Sequence, residues 1–138
     1  MRKLGIDYGD SRVGVAITDS LGITAQGLET ITHNGNDKIV LKRLDELFKE
    51  YEVDTIVVGM PYNMDGTKTY RAEVTEKFIH KLKCKYNTKK IVTMDERLTT
   101  VEAQRTMNDL GINKHKKKQI IDTISAVYIL EKYISVIN

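Results

Sequence analysis

Three short segments near the start of the chain combine apolar and small residues in the way that β-strands do. The first spans residues 4–9 and ends in a glycine-rich turn, and the second runs over residues 12–17. A third segment over residues 22–31 is rich in threonine and isoleucine. Because short turns join neighbouring strands in opposite directions, this pattern predicts an antiparallel meander of three strands.

The middle of the chain changes to a helical period and then alternates helices with strands. Apolar residues recur every three or four positions in two segments, which predicts one helix over residues 37–51 and another around residues 74–82. Between them, the β-branched run at 54–59 is typical of a parallel strand that is buried on both faces. A further strand is predicted over residues 90–96.

The last third of the chain predicts two more helices on either side of a basic loop. Thr99 and Glu102 have the spacing of a capping box, and Gly111 marks the end of that helix. Residues 113–118 are predicted to form an exposed loop, and a long closing helix follows over residues 120–137.

The predicted order is therefore β-β-β-α-β-α-β-α-α. It favours the α/β class, with one mixed five-stranded sheet in which three antiparallel strands are followed by parallel strands, flanked by helices. This is the arrangement of the ribonuclease H-like fold. A length of 138 residues suits a single domain over residues 1–138.

Composition narrows the setting and the metal chemistry. Hydrophobic residues make up 41% of the chain and charged residues 30%, as in ordinary globular proteins, and no apolar run is long enough to span a bilayer. The first strand begins so early that it leaves no room for a signal peptide, so we expect a cytoplasmic protein. One cysteine and three scattered histidines make a zinc site improbable, so a bound metal would need oxygen ligands, which favours Mg²⁺ or Mn²⁺.

Positive charge is concentrated in two segments, although the net charge is only +3. Six lysines fall within residues 77–90, and the second group includes Lys116, Lys117 and Lys118. Such a run is usually a solvated face. Two of them beside candidate metal ligands favour a polyanionic partner, which indicates binding of nucleic acid.

Three acidic positions carry the candidate chemistry: Asp7 at the end of the first strand, Glu96 or its neighbour Asp95 at the end of the last, and Asp122 in the first turn of the closing helix. If they converge, they repel one another unless cations neutralise them, and two magnesium ions about 3.5–4 Å apart would support phosphodiester hydrolysis. Only one of Asp95 and Glu96 is expected to point inward. Each acid alone also has an ordinary explanation. Asp7 can stabilise a turn, Asp95 or Glu96 can be a solubilising charge at the end of a strand, and Asp122 can interact with the helix dipole.

Four motifs in order resemble those of the YqgF family, also called RuvX, of bacterial nucleases. They are residues 5–9 with 12–16, residues 58–61 with 63–67, residues 95–100, and Asp122 with Ala126. The resemblance covers the whole chain. Two positions depart from the resemblance. Ser125 stands where the family usually has the first of two alanines, and Thr69 stands where it often has glycine or another small residue.

The resemblance implies specific roles for these positions. Asp7, Glu96 and Asp122 would be the catalytic and metal-binding acids, with Arg12, Arg97 and Thr99 in support. Asn63, Asp65 and Thr67 would border the substrate groove. The implied substrate is the 5′ end of the precursor of 16S rRNA, with ribosomal particles as an associated partner, or else branched DNA such as a Holliday junction.

Two other classes of protein share parts of this pattern. Actin-like and sugar-kinase ATPases also begin with an apolar strand, Asp-x-Gly and a hairpin, but they need two such domains around the nucleotide. A non-catalytic RNA-binding module would share the basic clusters, and it differs from a nuclease in showing no magnesium-dependent cleavage. The sequence leaves the oligomeric state open.

Overall fold

The computed structural model describes residues 1–63, 65–95 and 114–137. Within them lie five strands and three helices, which we number in chain order. The strands are β1 (Arg2–Tyr8), β2 (Arg12–Thr18), β3 (Ala25–Thr32), β4 (Val53–Met60) and β5 (Lys90–Asp95). The helices are α1 (Asp37–Glu50), α2 (Tyr70–Lys85) and α3 (Lys114–Ile137). The helix predicted between Thr99 and Gly111 lies outside the described residues.

The five strands form one mixed sheet in the order β3-β2-β1-β4-β5. β2 pairs antiparallel with both β1 and β3, whereas β1, β4 and β5 run parallel. This confirms the predicted sheet and its ribonuclease H-like class. Because β1 and β4 are parallel neighbours at the centre, their carboxyl ends lie side by side at one edge of the sheet, where α/β proteins place their sites.

Each face of the sheet has its own apolar cluster. Alternate residues of β1, such as Leu4 and Ile6, pack with α1 and α2 in the larger cluster, which includes Leu44 and Phe78. The opposite face packs against α3 through a smaller set: Ala16, Val57, Ala126, Ile129, Leu130 and Tyr133. The alternation of side chains along β1 therefore decides which helix each of its residues meets.

Glycines let α3 lie unusually close to the sheet. A Cβ atom on Gly5 would lie 2.6 Å from the side chain of Leu130 and 2.9 Å from the carbonyl oxygen of Ala126. A Cβ atom on Gly27 would lie 2.4 Å from the methyl group of Thr123. The backbones of β1 and β3 at these glycines thus meet α3 with no side chain between them. This contact fixes the distance between α3 and the sheet.

The prediction of a loop was wrong for residues 114–118, while residue 113 lies outside the described residues. Helix α3 already begins at Lys114, so residues 114–118 belong to the helix and are not a loop. Lysine is a good helix former, and the segment contains no glycine or proline to stop the helix. As a consequence Asp122 lies in the third turn of α3 and not in its first, and the helix dipole does not account for its position.

Part of the first basic segment is used inside the fold. Lys81 Nζ lies 2.8 Å from Asp37, and Lys85 Nζ lies 2.8 Å from Asp45, so both lysines connect α2 to α1. Lys89 donates to the carbonyl oxygen of Val53. Fewer of these lysines are therefore available to a polyanion than the sequence indicates. Among the described residues, no helix is both long and apolar enough to cross a membrane.

Candidate active site

The structure brings Asp7 and Asp122 to the same face of the sheet. Asp7 lies near the carboxyl end of β1 and is the cross-strand partner of Gly14 on β2. A Cβ atom on Gly14 would lie 1.9 Å from the carbonyl oxygen of Asp122 and 3.0 Å from its Cβ. Since cross-strand partners point to the same side, the half-buried side chain of Asp7 faces α3 at the level of Asp122.

Arg12 holds Asp122 directly. Its Nε donates to Asp122 Oδ2 at 2.8 Å, and the two side chains are 31% and 22% exposed. Arg12 is the first residue of β2, two positions before Gly14, so it shares the face on which Asp7 and Asp122 lie. The positive charge of the Arg12 guanidinium compensates the negative charge of Asp122.

Asp95 lies on the other face of the sheet. Its register partner on β4 is Met60, which belongs to the apolar cluster beneath α1 and α2. Parallel register partners point to the same side, so the side chain of Asp95 faces away from Asp7. The described structure therefore does not bring the side chain of Asp95 to Asp7 and Asp122, and the choice of Glu96 stays a prediction. Glu96, Arg97 and Thr99 themselves lie outside the described residues.

The donor chemistry of the site suits a hard divalent cation. Asp7 and Asp122 offer carboxylate oxygens, the ligands that Mg²⁺ and Mn²⁺ prefer. Within residues 1–63, 65–95 and 114–137, no group of three histidine, cysteine, aspartate or glutamate side chains is placed to hold a metal ion. The hydroxyl of Ser125, almost one turn beyond Asp122, is buried without a hydrogen-bond partner among the described residues, so a polar atom is available at this level of α3.

The opposite side of the β1 end is fixed by His33, which is 1% exposed. Its Nδ1 accepts from the amide of Gly35 at 3.0 Å, and its Nε2 lies 2.8 Å from the carbonyl oxygen of Gly9. A backbone amide only donates and a carbonyl only accepts, so these contacts require a neutral ring with its proton on Nε2. His33 thus ties the turn that follows Asp7 to the end of β3.

Tyr8 continues this anchoring next to Asp7. Its ring stacks against Phe78 at 4.3 Å and His33 at 5.4 Å between centroids, and its hydroxyl donates to Asp37. Burial, and then the neighbouring Asp37, raise the pKa of Tyr8 well above its usual value, so the hydroxyl stays a donor. The contacts of Tyr8 and His33 therefore hold the end of β1 in place directly after Asp7.

Arg71 is a second cation at this end of the sheet. It lies in the first turn of α2, and its Nη2 donates to the carbonyl oxygen of Tyr8 at 3.0 Å. Thr69 caps the helix by accepting from the amide of Ala72 and donates to the carbonyl oxygen of Pro61 at 2.6 Å. Thr69 therefore holds α2 to the loop after β4.

The predicted groove loop is shaped by its own side chains. Asn63 Nδ2 donates to Thr67 Oγ1 at 2.9 Å, and the amide and hydroxyl of Thr67 donate to Asp65 Oδ1 at 3.0 and 2.7 Å. Gly66 has a φ of +89°, which the turn requires. The loop follows the carboxyl end of β4, beside the end of β1. A role of Asn63, Asp65 and Thr67 in binding substrate stays a prediction.

Several residues of this site were missed by sequence reasoning. His33 was counted only as one of three scattered histidines, and Arg71 was not singled out at all. Both act through backbone carbonyls of residues far away in the chain, and no local spacing signals such a contact. The predicted phosphate-binding lysines, Lys116, Lys117 and Lys118, lie in the first turns of α3, and their side chains fall outside the described residues.

Comparison with known proteins finds a family for nearly the whole chain. The family model "RuvX: Holliday junction resolvase" matches residues 1–136. A protein of Acetivibrio thermocellus is 54% identical over 97% of this chain and 95% of its own length, and one of Ruminiclostridium cellulolyticum is 56% identical over 97% and 94%. One of Bacillus subtilis is 42% identical over the full length of both. All three carry the name "Putative pre-16S rRNA nuclease".

Solved structures agree with the fold. The Fowlpox virus resolvase in complex with Holliday junction DNA superposes with a TM-score of 0.62 at 12% identity, covering 99% of both chains. Thermus thermophilus RuvC in complex with a Holliday junction substrate gives 0.55 at 12% identity, over all of this chain and 96% of its own. At such low identity these likenesses establish the ribonuclease H-like fold and nothing finer.

Proposed function

The chain belongs to the RuvX family, and from this premise we propose that it is a divalent-metal-dependent nuclease that processes the 5′ end of the 16S rRNA precursor. The relatives that bear the pre-16S rRNA nuclease name cover nearly the full length of this chain. The observation that carries the proposal is the convergence of Asp7 and Asp122 at the end of the central strand, although they are far apart in sequence. Arg12 connects β2 to α3 there through its ion pair with Asp122.

We assign the metal to the carboxylates of Asp7, Asp122 and Glu96. Asp95, which faces α2, is left out of this set. A bound Mg²⁺ or Mn²⁺ supplies Lewis-acid activation of water and charge neutralisation at the leaving oxygen. Asp7 would hold the metal from the end of β1, and Asp122 would hold it from a helix that is fixed against Gly14.

The cationic side chains would hold the phosphate backbone. Arg12 and Arg71 lie at the same end of the sheet as the acids and can position a phosphate near them. Arg97, Thr99 and the lysines at 116, 117 and 118 would extend this surface, and the loop with Asn63, Asp65 and Thr67 would form its border. We further propose a cytoplasmic location and association with ribosomal particles.

A second candidate follows from the description of the family itself, which is that of a Holliday junction resolvase. Branched DNA presents the same phosphodiester to the same acids. The two substrates differ in the sugar and in the arrangement of strands around the cleaved bond. The acids alone therefore do not choose between them.

Cleavage assays on both substrates test the proposal. Purified protein with Mg²⁺ or Mn²⁺ is incubated with a precursor RNA spanning the 5′ end of 16S rRNA and with a four-way DNA junction, and chelator and the Asp7→Asn variant serve as controls. We expect metal-dependent cleavage of the RNA at the mature end that the variant does not perform. Cleavage of the junction alone would favour the second candidate, and cleavage that persists in the Asp7→Asn variant would refute the assignment of the acids.

A further inference from the structure

Tyr70 is the exposed aromatic side chain of this protein. The chain has seven tyrosines, two phenylalanines and no tryptophan, and all nine aromatic residues lie in the described ranges. Eight of them are buried or half-buried, whereas Tyr70 is 75% exposed. An isolated apolar side chain on a surface needs no special explanation, so the position of Tyr70 decides whether it matters.

Tyr70 stands at the end of the sheet that carries the acids. It is the first residue of α2, and its neighbour Arg71 donates to the carbonyl oxygen of Tyr8, the residue after Asp7. The hydrogen bonds of Thr69 to Pro61 and Ala72 fix the backbone just before the ring. The aromatic ring is thus presented to solvent from a rigid segment on the α2 side of the sheet, at the same end as the acids.

Two cationic residues, Arg71 and Lys68, neighbour Tyr70 in the chain. Arg71 uses one guanidinium nitrogen on the β1 carbonyl and has further N–H groups, which suit a phosphate oxygen. Lys68, two residues before Tyr70, is 57% exposed and forms an ion pair with Glu76 at 2.8 Å, so Arg71 is the cation with N–H groups to offer a phosphate. A ring flanked by cations is the usual arrangement for an unpaired nucleotide, whose base stacks on the ring while its phosphate contacts the cation. Bases inside a duplex already stack on both faces and do not offer this contact.

We propose that Tyr70 and Arg71 form a subsite for one unpaired nucleotide of the substrate at the end of the sheet that carries the acids, with the base stacked on the ring of Tyr70. The inference rests on the proposed nuclease function and narrows it, because it selects a substrate with a single-stranded segment that reaches the start of α2. Fully paired strands would meet only the cations.

The Tyr70→Trp variant tests this directly, because it introduces the only tryptophan of the chain. Its fluorescence is recorded while a single-stranded RNA oligonucleotide or a blunt RNA duplex is added in the presence of chelator, which prevents cleavage. Anisotropy of the labelled RNA reports binding in the same samples. We expect the single strand to quench the tryptophan emission and the duplex to leave it unchanged at equal occupancy.

Affinity gives an independent readout. Tyr70→Ala is expected to weaken single-strand binding about 5- to 150-fold, the range that loss of one stacked base implies. Tyr70→Phe retains the ring and should bind like the wild type. Leu21→Ala is the matched control, since Leu21 is 77% exposed on the turn after β2, at the opposite end of the sheet.

Emission that does not change while the single strand binds would overturn the subsite, as would equal losses of affinity in the Tyr70→Ala and Leu21→Ala variants. Wild-type protein that still cleaves precursor RNA would leave the proposed function standing in that case. Conversely, quenching by single strands in a protein that cleaves neither substrate would keep the subsite and reject the nuclease function.

Discussion

The ion pair between Arg12 and Asp122 affects how a metal ion can bind at Asp122. Asp122 carries its counter-ion at 2.8 Å, so a metal ion that binds there has to compete with a guanidinium. Partly exposed ion pairs of this kind contribute only about 0–1 kcal/mol, which a divalent cation easily exceeds. Arg12 released in this way would be available to a phosphate oxygen of the substrate.

Neutralising either acid is expected to abolish cleavage without unfolding the protein. Asp7→Asn and Asp122→Asn remove a charged ligand but keep the shape of the side chain, so we expect turnover to fall by several orders of magnitude. The Asp122 variant also loses the ion pair with Arg12, and its free energy of unfolding should decrease by about 0–1 kcal/mol. Gel-based cleavage assays and urea unfolding measure the two effects. Wild-type turnover in either variant would contradict the assignment.

Removing the competing cation should strengthen metal binding. The Arg12→Gln variant removes the ion pair that Arg12 makes with Asp122, so we expect the dissociation constant for Mn²⁺ to fall by about twofold to fivefold, as the ion-pair energy implies. Isothermal titration calorimetry without substrate measures it. Arg43→Gln is the control, because Arg43 lies in α1 and also forms ion pairs, with Glu29 and Glu46. Unchanged or weaker binding in the Arg12 variant would show that the guanidinium does not compete.

At the scale of elements, the contact between α3 and β2 positions the site. Gly14 has no space for a side chain, since a Cβ atom would lie 1.9 Å from the backbone of Asp122. Helix α3, which carries Asp122, therefore lies directly on β2, the strand that pairs with β1 at Asp7. Any change that lifts the helix separates the two carboxylates.

A methyl group at this contact is expected to be costly. Gly14→Ala forces α3 away from β2, and we expect it to destabilise the protein by about 1–3 kcal/mol and to weaken metal binding. Gly35→Ala is the control: at φ +86° it strains the backbone by about 1–2 kcal/mol, but nothing lies within 4 Å of the added atom. Urea unfolding and Mn²⁺ titration compare them. Equal metal affinity in both variants would mean that the position of α3 does not determine the site.

The sequence predicted the elements well wherever a local pattern determines them. The strand order follows from short turns and β-branched runs, and Asp7 was noticed because an acid at the end of an apolar strand is unusual. The start of α3 was misjudged, since consecutive lysines were interpreted as a loop although they are compatible with a helix. His33 and Arg71 were missed because their partners, Gly9 and Tyr8, are close only in the folded chain.

At the scale of the whole molecule, charge connects the two helices on one face of the sheet. Lys85 pairs with Asp45, and Tyr86 also donates to Asp45 at 2.7 Å. The hydrogen bond from Lys85, and then that from Tyr86, hold the pKa of Asp45 below its ordinary value of 3.8. A carboxyl group with a lowered pKa stabilises the folded state above that ordinary value, and the contribution is lost as the pH falls through the lowered pKa.

We therefore expect Asp45→Asn to reduce the acid sensitivity of the fold. The wild type should lose stability on acidification below about pH 4, and the variant should be less stable near neutral pH but lose less between about pH 7 and pH 3. Thermal unfolding followed by circular dichroism measures the difference. Glu50→Gln, at the exposed end of α1, is the matched control. Parallel pH profiles of wild type and Asp45 variant would contradict this role.

The separation of Asp7 and Asp122 along the chain also has a consequence for biosynthesis. Translation produces β1 first, and the helix that carries Asp122 follows after the whole sheet has been made. Until that helix leaves the ribosome and docks, the nascent polypeptide has only one of the two acids in place. If Asp7 and Asp122 are the catalytic acids that we propose, the protein would be inactive during its own synthesis, while it is still held beside ribosomal RNA.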